Sequence, residues 1–169
     1  FIFNGYYVHR DLQYPLRRQR AMFIRDRSDK MSNNDNLIPS QVVKNLNDKG
    51  LGKKIELFLS IPSNPNFVKI QKKIDATPAG FFTQVIHSKD QIEKIVVGLK
   101  PNGFKIIPCL LLPSQNNLKS AEFLKIDWSN YEENFIEFIN EIHSITGDIL
   151  ITSPNDFKRA YETISKLAS

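Results

Sequence analysis

One cysteine, Cys109, is the chain's whole supply of thiol, which leaves no internal disulfide and no thiolate cluster for a metal. It sits inside the apolar run Ile106-Ile107-Pro108-Cys109-Leu110-Leu111-Leu112, where cysteine reads as a small buried hydrophobe. The three histidines, His9, His87 and His143, are too far apart for metal-ligand spacing, so neither a metal nor a bound cofactor is expected. The seven glycines form neither GxGxxG nor GxxxxGKS/T, so there is no glycine-rich phosphate loop. A Gly-x-Ser-x-Gly elbow, which would expose a nucleophilic serine, is missing too. No apolar stretch approaches the roughly 18 to 20 residues that a membrane-spanning helix needs. The start also lacks the basic, apolar and small-residue pattern of a secretory leader. The expectation is a cytoplasmic protein with no membrane partner.

What is present is ordinary for a globular chain. The 169 residues suit one domain, and 41% apolar with 24% charged residues argues against wholesale disorder. The net charge of +5 suggests a nucleic-acid partner until its distribution is read. Residues 1–30 carry seven basic side chains against three acidic, and the remaining 139 carry 16 against 15. The body is therefore nearly neutral, and its charge does not support a phosphate-backbone partner.

Basic residues also change kind near residue 30. Before Ser28 there are six arginines and no lysine; after it Arg159 is the one arginine. The stretch at residues 17–27, Arg17-Arg18-Gln19-Arg20-Ala21-Met22-Phe23-Ile24-Arg25-Asp26-Arg27, resembles the translated adapter of sequencing libraries, with Phe23 where that translation has cysteine. Residues 1–30 are thus expected to be foreign to the fold or disordered, with residues 31–169 forming a single α/β domain and Met31 a natural start. The competing reading is a basic arm that contacts a partner.

The body alternates strand-like and helix-like segments. Strands are expected over 54–61, 81–86, 104–112 and 148–152, and the continuous apolar run of the third suits a central strand covered on both faces. Asn64-Pro65 predicts a helix start, followed by Phe67, Ile70 and Ile74 at helical spacing. Ile92, Ile95, Val96 and Leu99 form the inner face of the next helix. Ser129 and Glu132 have capping-box spacing ahead of the stripe Tyr131, Phe135, Phe138, Ile142 and Ile145, which Gly147 ends. Ser153-Pro154 predicts the last helix, facing inward through Phe157, Ala160, Tyr161, Ile164 and Leu167. A shorter helix is expected around 41–46, and residues 113–128 read as polar and irregular. Strands separated by helices imply parallel pairing with right-handed crossovers. The expected fold is an open three-layer α/β sandwich with a mostly parallel four- to five-stranded sheet.

Ligands of open parallel sheets bind beyond the carboxyl ends of the strands, at helix N-termini. The four turns expected there carry Ser63 and Asn64, His87 and Ser88, Ser114, and Ser153 and Asn155, which makes these the candidate ligand-binding residues. Free backbone N–H groups would favour an anion such as a phosphate. Ser, Asn and Asp are equally the best helix caps, and His87 reads as a general base or as a hydrogen-bonded rim residue.

Residues 88–142 carry a resemblance. Ile92-Glu93-Lys94-Ile95-Val96-Val97-Gly98-Leu99, a turn, and Lys105-Ile106-Ile107-Pro108-Cys109-Leu110-Leu111 resemble the second half of a TIR domain. Phe123-Leu124-Lys125-Ile126-Asp127-Trp128 with Tyr131-Glu132-Glu133 is similar to that family's ending. The resemblance implies a flavodoxin-like sheet, homo-oligomeric self-association, and NAD cleavage or a scaffold role in defence signalling. Glu93 matches the family's catalytic glutamate, which acts on the ribose beside the nicotinamide, making NAD a substrate and not a cofactor. Glu93 also reads as a solvated helix residue beside Lys89 and Lys94. Asp90 and Gln91 stand where the family usually has an aromatic, and residues 148–167 extend beyond its usual end. Three functions stay open: nucleotide-handling enzyme, self-associating interaction module, or Rossmann-like binder of a phosphorylated metabolite.

Overall fold

The computed structural model describes residues 38–167, so the expectations for residues 1–30 and the adapter-like stretch 17–27 lie outside the described residues. Four strands, β1 (Phe58–Ile61), β2 (Gly80–Ile86), β3 (Lys105–Leu111) and β4 (Leu150–Thr152), form one sheet. Its order is β1-β2-β3-β4 and every pairing is parallel. Among the described residues six α-helices accompany it: α1 (Pro39–Asp48), α2 (Gln71–Ile74), α3 (Lys89–Leu99), α4 (Leu118–Leu124), α5 (Phe135–Thr146) and α6 (Phe157–Leu167). The chain is an α/β sandwich built on a wholly parallel sheet, as the alternation of segments predicts.

Right-handed crossovers that all step in one direction across a sheet deliver their connections to the same face. Each described helix contributes buried or partly buried apolar residues to one core with Leu59, Ile61, Phe81, Ile106, Leu110 and Ile151, although α4 also borders the other face of the sheet through Phe123 and Leu124. Ile92, Ile95 and Leu99 of α3 are fully buried there, each worth about 1.5–3 kcal/mol relative to exposure. The other face of the sheet carries a second cluster, Phe58, Phe82, Ile107 and Leu150, joined by Ala79 and Cys109.

Several boundaries differ from the sequence expectation, each for a local reason. The helix expected from Asn64 is reduced to the single turn of α2, preceded by a turn in which the Asn66 side chain accepts the Lys69 N–H at 3.2 Å. The Ser129–Glu132 capping box does not form. Ser129 instead donates its N–H to Asp127, and α5 begins at Phe135 with no side-chain cap. Tyr131 precedes that helix yet is buried, its ring stacked on Phe138 at 4.5 Å. Gly147 ends α5 in the left-handed conformation expected of a helix-terminating glycine. The stretch read as irregular contains α4, whose one buried residue is Ala121. A single small anchor leaves no periodic stripe to detect.

Pro108 lies inside β3, between two neighbouring strands, where a proline cannot donate to the ladder. The pairing accommodates it. Phe82 pairs Ile107 and Val85 pairs Cys109, so Thr83 and Gln84 of β2 oppose Pro108 alone, which is a β-bulge. The buried Thr83 hydroxyl then accepts the Cys109 N–H at 3.1 Å.

Candidate functional site

Parallel pairing sends the carboxyl ends of all four strands to one edge, and the four polar turns stand after them. Strand order runs without reversal, so among the described strands there is no switch-point crevice of the kind that holds ligands in doubly wound sheets. The candidate residues divide into three separate groups along this edge.

The first group lines an open groove of about 480 Å³ between the loop after β1 and the outer face of α3. Asn64, Pro65 and Phe67 come from the loop; Asp90, Glu93, Lys94, Val97 and Gly98 come from the helix. Asn64 and Glu93, both singled out by the sequence, thus share one surface. The half-buried Ser63 is not part of the lining. Glu93 lies 3.8 Å from Lys89, both side chains about half exposed, at 52% and 50%. An ion pair so placed is worth about 0–1 kcal/mol, so it does not hold the carboxylate back from a ligand.

The second group is His87 and Ser88, at the end of β2. Gln91 reaches back from the first turn of α3, its Oε1 accepting the N–H groups of His87 at 2.9 Å and Ser88 at 3.3 Å. That fixes the amide so that its Nε2 donates to His87 Nε2 at 3.2 Å. The lone pair a general base would need is already engaged, and His87 reads as a capped rim residue. Asp127 is nearby. The Ser129 hydroxyl and backbone N–H hold its carboxyl below the usual range, with a smaller contribution from His87.

The third group ties the end of β3 to the end of β4. Its hub is Asn117, fully buried, which sequence reasoning misses in favour of Ser114. Asn117 Nδ2 donates to the Leu112 carbonyl at 3.0 Å and to Ser153 Oγ at 3.0 Å, and its Oδ1 accepts the Asn155 N–H at 3.1 Å. Ser153 donates onward to the Asp156 carbonyl at 2.8 Å, and Asn155 Nδ2 donates to Ser120 Oγ at 3.1 Å. The Ser114 hydroxyl is buried and meets no partner in hydrogen-bond geometry. It nonetheless lies close enough to Asp156 to be the chief group holding that carboxyl low, ahead of the Arg159 backbone N–H. Asp156 accepts that N–H at 3.1 Å and so caps α6, one position ahead of Phe157. Ser153 and Asn155 are therefore committed to structure, Ser114 is buried beside the acidic cap, and that cap disfavours an anion there.

On the second face of the sheet another apolar groove, of about 440 Å³, runs between Val85, Cys109, Leu111 and Thr152 and the helix α4. Phe123, 85% exposed, forms one of its walls. Desolvation pushes the Cys109 thiol up to about 12, which leaves no thiolate for chemistry at neutral pH. Among the described residues no cluster of His, Cys, Asp and Glu could hold a metal, and no helix is long and apolar enough to cross a membrane. Compared with known proteins, the chain matches no protein-family model and no curated protein.

Proposed function

We propose that this chain is a TIR-like domain that handles a nucleotide, with NAD as the substrate and Glu93 as the group that acts on it. The observation that supports the reading is the shared groove: Asn64, from the turn after β1, and Glu93, from α3, line one open surface that also offers apolar contact through Phe67 and Val97. Cleavage breaks the bond between ribose C1′ and the pyridinium nitrogen. The electron pair goes to that nitrogen, neutral nicotinamide leaves, and water adds to C1′ with loss of a proton. A carboxylate beside the ribose stabilises the oxocarbenium-like charge as it develops. Asn64 supplies an amide that can hold a ribose hydroxyl. The test is nicotinamide release by wild type and Glu93→Gln. Loss of a positioned acid–base or electrostatic group lowers kcat by about 10² to 10⁴; equal turnover by the two proteins removes Glu93 from the mechanism.

A second reading, a self-associating interaction module in defence signalling, draws on a different observation. Phe123 projects 85% exposed at the wall of the apolar groove on the second sheet face, flanked by Leu124 at 47%. Exposed apolar residues gathered at one groove mark contact surfaces more often than singly scattered ones do.

A further inference from the structure

Gly98 stands inside α3, where glycine costs roughly 0.5–1 kcal/mol relative to alanine. Its backbone φ is not in the left-handed region, so conformational freedom does not explain it. Packing does. A Cβ at position 98 would overlap the tip of the Phe67 ring at Cζ and Cε1, and would come within 2.8 Å of Cε2. Phe67 arrives from the loop after β1 and packs partly buried against the main core. Its core side is filled, so a ring lifted off α3 has only the groove to swing into. Phe67, Gly98, Val97 and Pro65 make the apolar part of that groove, and Asn64, Asp90, Glu93 and Lys94 the polar part.

We infer that Gly98 is a specificity-determining positioning residue: by seating the Phe67 ring against α3 it keeps open a subsite for the flat, cationic heteroaromatic ring of the ligand, beside Glu93. The inference rests on the NAD reading above, and it adds where the pyridinium lies and what holds the place open. An aromatic face and the two carboxylates Asp90 and Glu93 suit a ring cation through cation–π and charge attraction. Lys94, on the same lining, is available for the phosphate of the same molecule.

The probe is the N-methylnicotinamide cation, which carries the ring and its charge but has no ribose bond to cleave. Protein containing 2-fluorophenylalanine, whose fluorine sits at the Cδ position away from the Gly98 contact, reports the Phe67 ring by fluorine NMR, the signal being assigned by its loss in Phe67→Leu. The expected result is a shift of that signal on titration in wild type, with weaker binding in Glu93→Gln, which removes one of the two attracting charges, and affinity reduced by about tenfold or more in Gly98→Ala, equivalent to about 1.4 kcal/mol. Far-UV circular dichroism checks that α3 persists in the variant. No response in wild type, or an equal response in Gly98→Ala, overturns the inference even if NAD is cleaved. A response lost in Gly98→Ala by a protein that does not cleave NAD keeps the subsite and overturns the catalytic role of Glu93.

Discussion

Asn117 carries more of the rim than any residue the sequence points to. It is fully buried, and its three hydrogen bonds tie the segments that follow β3 and β4. Replacing it with alanine strands the Leu112 carbonyl and the Asn155 N–H, and unsatisfied buried groups cost about 1–3 kcal/mol each. Asn117→Ala is therefore expected to lose about 2–4 kcal/mol in urea unfolding, whereas its exposed neighbour Asn116→Ala loses within about 0.5 kcal/mol. Sequence could not rank these asparagines, because the members of a polar run look alike until burial separates them. The run here is Gln115-Asn116-Asn117, and only its last member turns inward. Charge at this edge also sets a pH dependence. Asp127 and Asp156 have carboxyls held below their ordinary range, first by the Ser129 and Ser114 hydroxyls respectively. A native pKa below the unfolded value adds stability that is complete above the unfolded value, about 3.9, and is lost as pH falls through the native one. Stability is expected to decline on acidification between about pH 5 and pH 2. The decline should be shallower in Asp156→Asn, which keeps a good helix cap without the titrating group. Urea midpoints across that range measure it.

At the scale of elements, what was legible is what repeats. The stripe Ile92, Ile95, Leu99 marks α3, and the steps of four and three in α5 bring Phe135 and Ile142 inward with Phe138 and Ile145 partly buried, while Ile139, outside that stripe, is buried as well. What was illegible depends on a partner strand or a small anchor: the start of α2, the existence of α4, and the bulge opposite Pro108. A proline in a central strand argues against a strand when read alone. It is tolerated here because Thr83, 26 positions before Cys109, supplies an acceptor for the N–H that follows the proline. Thr83→Val keeps the branched shape and removes that acceptor. It is expected to cost about 1–3 kcal/mol, the penalty for an unsatisfied buried donor, with faster exchange of the Cys109 amide as the local sign. An unchanged amide exchange rate would show that the bulge does not depend on the hydroxyl.

At the scale of the whole molecule, the described helices all contribute to one core, while on the second sheet face a separate small cluster and the outer side of α4 border an apolar groove. The self-association reading makes its prediction there. Sedimentation at rising concentration should show reversible oligomers for wild type, weakened about tenfold or more by Phe123→Ser, and the two proteins should behave alike if Phe123 contacts nothing. By itself the sequence determined the alternation of segments and hence a parallel α/β sheet, because hydrophobic period and turn chemistry are local properties carried by neighbouring residues. It also determined that the polar turns would share an edge, since parallel strands leave no other arrangement. Only the tertiary structure decided that those turns separate into three groups, that Asn117 is the buried one, and that Gly98 makes room for Phe67. Each of these is a contact between residues distant along the chain, fixed by how the layers pack and not by any pattern within one segment.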